Sequence, residues 1–359
     1  MQLDNVRNSF ENFFIPITIP DDLSKEEENS YHSKIFEYCH INTPNQLFRY
    51  RSCNNHNIDA FQKDQFLLTK PTKFNDPYDA LLYIDKKSIL QDLKSSNSSQ
   101  SKETINKLLS DPEYKKQEIE KFGEHFIEKI IQNASSYQSY NISDDIIKHQ
   151  QKYYEHRLDL IVELSLKAIK QASLVACLSE TVDSILMWSH YASNHSGFVL
   201  SYNFQELYSI DTGIAGMKGS HFVDKKIFPV IYRNERYDAT YYASFHFIDD
   251  FYRSLGLEFN YPFFDKLFYY KALLYKSIEW EYEKEWRIIK NTNINTEDGK
   301  ADFSLLENIR PKAIYLGEKI SKTDKELLIK IAIEKNIKIY QMIIDPYEKE
   351  YKLEYYQYK

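Results

Sequence analysis

Apolar and polar positions alternate with a two-residue period in a series of short segments, separated by stretches with a helical period. "LFRYRS" (47–52), "QFLLTKP" (65–71), "SLVACLSE" (173–180), "GFVLSYN" (197–203), "FPVIYR" (228–233), "EKEWRIIK" (283–290), "PKAIYLG" (311–317) and "IKIYQMII" (337–344) read as strands. "SKEEENSYHSKIFEYCHI" has an acidic start and apolar residues at helical spacing, and "KTDKELLIKIAIEKN" (322–336) is an amphipathic helix. "NIDAFQKD" (57–64) and "DSILMWSHYAS" predict short helical segments, and "TKFNDPYDA" (72–80) predicts a loop around Pro77.

Two long stretches, about 86–170 and 239–278, keep the helical period. They read as insertions between sheet elements, the first containing a serine-rich exposed link, "SSNSSQS" (95–101). The expected organisation is an N-terminal helical extension (1–45), one α+β domain (46–345) carrying both insertions, and a C-terminal tail (346–359). Strands and helices do not alternate regularly and no G-x-G-x-x-G follows a strand, so a doubly wound dinucleotide fold is disfavoured. The pattern is α+β with a mixed β-sheet core.

Composition narrows the function classes. The chain has 359 residues, 28% charged and 42% apolar, which is ordinary for a globular protein. A net charge of −7 argues against general binding to a phosphate backbone. Three cysteines (Cys39, Cys53, Cys177) form no CxxC pair, so neither a disulfide framework nor a structural zinc site is expected. The first twenty residues lack a basic start followed by an apolar run, and no apolar stretch approaches membrane-spanning length. A cytoplasmic protein is expected. The thirty tyrosines, among many Ile, Lys and Asn, fit an AT-biased genome better than a base-stacking surface.

Four patches hold polar groups where a plain core would not want them. In "FRYRS", Arg49 and Arg51 share one strand face and Tyr50 takes the other, so the arginines could hold a pyrophosphate or carboxylate, or else pair with nearby acids on a solvated face. In "FNDPYD", Asn75, Asp76 and Asp79 either brace the turn or, less expectedly, supply metal ligands. "CLSETVDSILMWSHYASNHSGF" offers Ser179, Glu180, His190 and Tyr191, without an HExxH pairing or a G-x-S-x-G elbow; His190 is equally a packed histidine that bonds the following loop or a catalytic candidate. In "WEYEKEWRIIK", Glu281, Glu283 and Glu285 would share a strand face with Arg287 while Trp286 and Ile288 turn to the core. Three like charges on one face repel, so either that face meets water or something positive sits there.

Taken in order, "LFRYR", "FNDPYD", "CLSE…MWSHY…GFVLSY", "WEYEKEWRII" and "PKAIYLG" resemble the bacterial family known as domain of unknown function 2971, over roughly 46–345. The layout also resembles the ADP-ribosyltransferase fold, a split mixed sheet that grips NAD without a glycine-rich motif. That second resemblance implies NAD as substrate, with Arg49 or Arg51 (and, in the same patches, Tyr50, Asn75 and Asp76) at the cofactor and Tyr191 stacked on nicotinamide. It implies Ser179 as the middle hydroxyl, Glu285 as the acid that stabilises the ribosyl cation, and Glu283 as the partner that steers the acceptor, with His190 nearby. No Ser-Thr-Ser run follows the middle strand, and the long insertion has no counterpart in that fold. The expected function is an NAD-dependent transferase or glycohydrolase, an effector of toxin or phage-defence type acting on a protein or nucleic-acid acceptor. The alternatives are a nuclease holding a divalent ion on Asp76, Asp79, Glu180 and His190, and a non-enzymatic module whose turns brace the sheet. The transferase requires Arg49 and Glu285 to face one pocket.

Overall fold

The computed structural model describes residues 3–96, 106–122, 127–128, 131, 144–205, 227–254, 263, 265–291, 303–306 and 308–358. Residues 97–101 of the serine-rich link lie outside them. The chain divides into two compact units, one formed by 1–81, 168–237 and 262–359, the other by 82–167 and 238–261. Among the described residues no helix is long and apolar enough to cross a membrane.

The first unit carries the sheet. Its strands are β1 (Leu47–Arg51), β2 (Phe66–Thr69), β3 (Ser173–Ser179), β4 (Phe198–Tyr202), β5 (Ile227–Pro229), β8 (Glu285–Asn291), β9 (Phe303–Leu306), β10 (Ala313–Leu316), β11 (Lys338–Ile343) and β12 (Glu354–Gln357). A separate parallel pair joins β6 (Ile231–Arg233) to β7 (Tyr275–Ser277). The order β12-β11-β10-β4-β1-β3 is mixed, because β10 and β11 run parallel while β4 is antiparallel to both of its neighbours. At β3 the sheet branches. One side of β3 meets β1 at Phe48↔Ser179 and β2 at Thr69↔Val175; along its other side β8 pairs over its whole length, and β5 follows. Mixed strand directions with helices on both faces make an α+β fold, as the periodicity predicts.

Register decides which side chains share a face. Phe48 lies opposite Ser179 and Ser179 opposite Glu285, so these three and Arg287, two residues on, project from one face. That face is covered by the helix Ile185–Tyr191 through Met187 and Trp188, which pack with Tyr50, Val199 and Tyr315. The other face carries Leu47, Leu200, Trp286 and Ile288, under Ile58 and Phe61 of the helix Asn55–Gln62 and Leu328 and Ile331 of the helix Lys322–Glu334. Arg49 and Arg51, one residue out of phase with Phe48, project there. They therefore lie across the sheet from Glu285. The pocket shared by Arg49 and Glu285 that the sequence suggests is not formed.

Several elements depart from their sequence reading. "FPVIYR" splits at Val230 into β5 and β6, which join different sheets. The stretch read as helical to 278 ends in β7, and β9 and β12 were not anticipated. The first helix, Leu3–Phe14, buries Phe10 and Phe14 beside Phe228, and its Arg7 donates to Glu180 Oε1 at 2.7 Å, which ties the N-terminal segment to the sheet unit. The second unit is helical: Ile89, Leu158, Ile161, Ala243 and Phe247 make its core and Arg157 pairs with Asp250.

The link from the helix Ile185–Tyr191 to β4 shows a local constraint. Ser193, Asn194 and His195 take successive left-handed conformations, and the chain then enters β4 through Gly197. A Cβ at Gly197 would sit 2.1 Å from the backbone oxygen of Arg51, which no side-chain rotation can relieve. Gly197→Ala is expected to destabilise the fold by about 3 kcal/mol, in the range of overpacked cores, read as a lower denaturation midpoint in urea.

Candidate functional site

The glutamates of "WEYEKEW" do not form a continuous strand. Residues Ile278–Glu283 make a 3₁₀ turn, Lys284 takes a left-handed conformation (φ 44°), and β8 begins only at Glu285. Glu281 is exposed in the turn, whereas Glu283 and Glu285 are buried. The positive groups that meet them belong to the chain itself. Lys276, from β7, donates to Glu283 Oε2 at 2.5 Å and to Glu285 Oε2 at 2.9 Å. Arg287, with no exposed surface, donates from Nε to Glu285 Oε1 at 2.8 Å.

The remaining face of Arg287 is met by the "FNDPYD" turn. Asp76 Oδ1 accepts from the backbone N–H of Tyr78 (2.9 Å), and this Asx turn presents Asp79 to the guanidinium. The contact is bidentate, Nη1 to Oδ1 at 2.8 Å and Nη2 to Oδ2 at 2.6 Å, and Nη1 also donates to the Leu273 carbonyl at 2.6 Å. Such fork-on-fork pairing fixes orientation as well as charge.

Two cations thus face three carboxyl groups in a space nearly closed to water. Neutrality needs one proton, and the surroundings place it. Burial and then the charge of Glu285 push Glu283 from its ordinary 4.5 up to about 7. Burial also opposes ionisation of Glu285, but Arg287 and then Lys276 overcome it and hold that carboxyl below the usual range. Lys276 is likewise held charged by Glu285 and Glu283 against the effect of burial. The two carboxylates are driven apart in proton affinity, the arrangement by which sites separate acid from base.

Glu283 is also the member that Tyr191 reaches. Tyr191, half-buried, donates from Oη to Glu283 Oε1 at 2.5 Å, and the exposed Asn75 donates to Tyr191 Oη at 3.3 Å. Trp280 places its ring 5.1 Å from Lys276 Nζ, Tyr282 packs on Trp280, and the exposed His190 lies 6.5 Å from Tyr282. Tyr191, Trp280 and Tyr282 therefore lie beside a carboxyl whose proton affinity is raised toward neutrality.

Other sequence-predicted site residues fall elsewhere or are already engaged. Ser179 donates to the Glu283 carbonyl oxygen at 2.7 Å and accepts from the Thr181 N–H, so it pins the turn rather than offering a free hydroxyl. Both oxygens of Glu285 are taken up by Arg287 and Lys276, which leaves none for a ribose. Tyr50 is buried and donates to the Thr181 carbonyl. Glu180 accepts from Arg7 and from Trp286 Nε1, and Asp79 is committed to Arg287. Among the described residues no three His, Cys, Asp or Glu side chains gather as a metal ion requires. Asn75, Tyr191, Glu283 and Glu285 are brought together, with His190 near Tyr282.

Sequence reasoning missed Lys276, Trp280 and Tyr232, whose hydroxyl accepts from the Glu285 N–H at 2.8 Å. A usable signal existed: the lone lysine in "LLYKSIEW" interrupts an apolar run just before the acidic turn.

Residues 187–288 match the model of a family described as "Protein of unknown function (DUF2971)", which bears out the family resemblance over that part of the chain. The matched residues include "MWSHY", "GFVLSY" and "WEYEKEW", and hence Tyr191, Lys276, Glu283, Glu285 and Arg287; "LFRYR" and "FNDPYD" lie outside them. No curated protein and no solved structure matches the chain significantly.

Two outcomes follow for stability. Asp79→Ala strands a buried guanidinium and is expected to cost about 3–5 kcal/mol in urea unfolding, whereas exposed Glu281→Ala is expected to change stability by under about 0.5 kcal/mol. The folded pKa of Glu283 exceeds its unfolded value, so the native state holds a proton that the unfolded chain has lost between pH 4.5 and about 7. Its contribution is fully present below pH 4.5 and falls as pH rises to about 7, while that of Glu285, shifted the other way, is lost as pH falls below 4.5. A Tm series across pH 4.5–8 should show the neutral-side decline in the native chain and a flatter profile in Glu283→Gln.

Proposed function

We propose that the chain is an NAD-consuming enzyme, a ribosyltransferase or glycohydrolase, in which Glu283 is the working carboxyl. The observation that carries this reading is the pair Glu283 and Glu285, joined by Lys276 yet pushed apart in proton affinity, beside Tyr191, Tyr282 and Trp280. The branching of the sheet at β3 and the E-x-E spacing support it further.

The chemistry is balanced without a metal. The bond between ribose C1′ and nicotinamide nitrogen breaks, and its electron pair leaves with the now neutral nicotinamide. The ribosyl cation that remains is stabilised by negative charge close by. A water or acceptor hydroxyl adds to C1′, and its proton passes to Glu283, whose pKa near 7 suits a general base at neutral pH. A ribose hydroxyl that takes the place of the Tyr191 hydroxyl would meet the same Glu283 oxygen. Glu285 acts through Lys276 as a positioning group rather than at the reacting atom. In an effector of toxin or phage-defence type the acceptor would be a protein or nucleic acid.

A second reading, a non-enzymatic module, draws on the saturation of Asp79, Arg287 and Glu285 by one another, which needs no ligand to explain it. Assays for nicotinamide release and for NAD binding by calorimetry separate the two. The enzyme reading expects release by the native chain, a loss of about 100-fold or more in Glu283→Gln, and a smaller loss in Tyr191→Phe. Glu283→Gln should fold, since it keeps the shape of a carboxyl whose ionisation burial opposes. A native chain that neither binds NAD nor releases nicotinamide leaves the brace as the function of the cluster.

A further inference from the structure

The two arginines that do not reach the glutamates occupy a site of their own. Arg49 is buried with its guanidinium 3.8 Å from the centre of the Phe66 ring, Nη2 donates to the Leu67 carbonyl, and Nε has no partner. Arg51, half-buried at the end of β1, lies beside it. Together with His56, Asn57, Gln65 and Tyr202 they line a small recess that opens to solvent.

What stands out is the missing counter-charge. Among the described residues neither guanidinium has a carboxylate partner. Asp64, close enough to influence Tyr202, is paired with Lys335 at 2.9 Å, and Asp59 of the adjacent helix is paired with Lys63 at 2.8 Å. Burial, and for Arg49 the charge of Arg51 as well, pushes both guanidinium pKa values down, that of Arg51 to about 10. Two like charges in a half-closed pocket, one with an unused buried donor, are costly unless an anion completes them. This contrasts with the other face, where every cation of the cluster is matched by carboxylates.

We propose that Arg49 and Arg51, with His56, Asn57 and Gln65 at the mouth, form a binding site for a phosphate-bearing small molecule on the sheet face opposite the glutamates. A phosphoryl dianion balances both guanidinium groups and can accept from the free Nε, whereas a carboxylate balances only one charge. The site is independent of the NAD reading: Glu283 lies across the sheet and none of the pocket residues contributes to its cluster.

The test uses the full chain with sodium phosphate as probe, against sodium chloride and sodium acetate at matched ionic strength, followed by Tm and calorimetry. The expected result is a saturable rise in Tm with phosphate, a smaller response to acetate, and full retention of the phosphate response in Glu283→Gln. Arg51→Gln should weaken phosphate binding roughly tenfold or more and, in chloride alone, raise Tm by removing one of two repelling charges. That second readout distinguishes a ligand site from a structural arginine, whose loss would lower Tm. The inference is overturned by the absence of a saturable phosphate response, by equal responses to phosphate and acetate, or by an Arg51→Gln variant that binds phosphate undiminished or melts lower in chloride.

Discussion

A guanidinium with no exposed surface organises the sheet unit. Arg287 stands in the middle of β8, on a strand whose neighbouring positions, Trp286 and Ile288, are core residues. A charge there survives only if its donors are answered, and the answers come from three directions: Asp79 from the front of the chain, Glu285 from its own strand, and the Leu273 carbonyl. The rest follows from this requirement. The proline turn is held over the sheet because Asp79 must be delivered to it. Lys276 is brought in because Asp79 and Glu285 leave negative charge over, and Glu283 then enters as the surplus acid. Apolar residues of similar volume replacing the whole set, Arg287 together with Asp79 and Glu285, would fill the space at comparable cost, so the network is better understood as specifying which segments meet than as adding net stability.

The strands legible in the sequence are those that bury at least one face, which writes alternation or an apolar run into it; β9 and β12, with no buried position, carry no such signal. The Glu283–Arg287 stretch reads as an alternating charged face, and there the structure differs. Periodicity treats a charge as a vote for solvent, yet the burial of Arg287 depends on Asp79, 208 residues away, and no local pattern carries that information. The left-handed Lys284 was also invisible, since a lysine gives no sign of the conformation that glycine or asparagine would advertise. β7 falls inside a helical reading because "FYYKALLYKS" is largely aromatic and aliphatic and a three-residue strand is too short to show a period. The question posed by three clustered glutamates did have its answer in the sequence, as Lys276 and Arg287 flank them.

The placement of the arginines turns on the parity of one strand. β1 pairs with β3 at Phe48↔Ser179, and β3 with β8 at Ser179↔Glu285, so even positions of β1 face the glutamates and odd positions face away. Had the pairing slipped by one residue, Arg49 would project beside Glu285 and a single dinucleotide cleft would be plausible on geometry. Instead the sheet separates a region with surplus acid from a region with surplus base. Each is explicable from its own side chains, and neither needs the other to account for its residue types.

The two faces resolve their charge differently, and that difference bears on function. On the arginine face no proton can neutralise the excess, because an arginine does not give up its proton in the accessible range. On the glutamate face a proton can, because burial and the charge of Glu285 raise the proton affinity of Glu283. That proton is a place-holder for positive charge: a cation that reached Glu283 would displace it and find a full carboxylate, already oriented by Tyr191 and Lys276. A neutral ligand would gain no such carboxylate. On the enzyme reading proposed above, such a carboxyl would interact more strongly with a group as it becomes positive than before, the property that distinguishes stabilising a cationic transition state from merely binding its precursor.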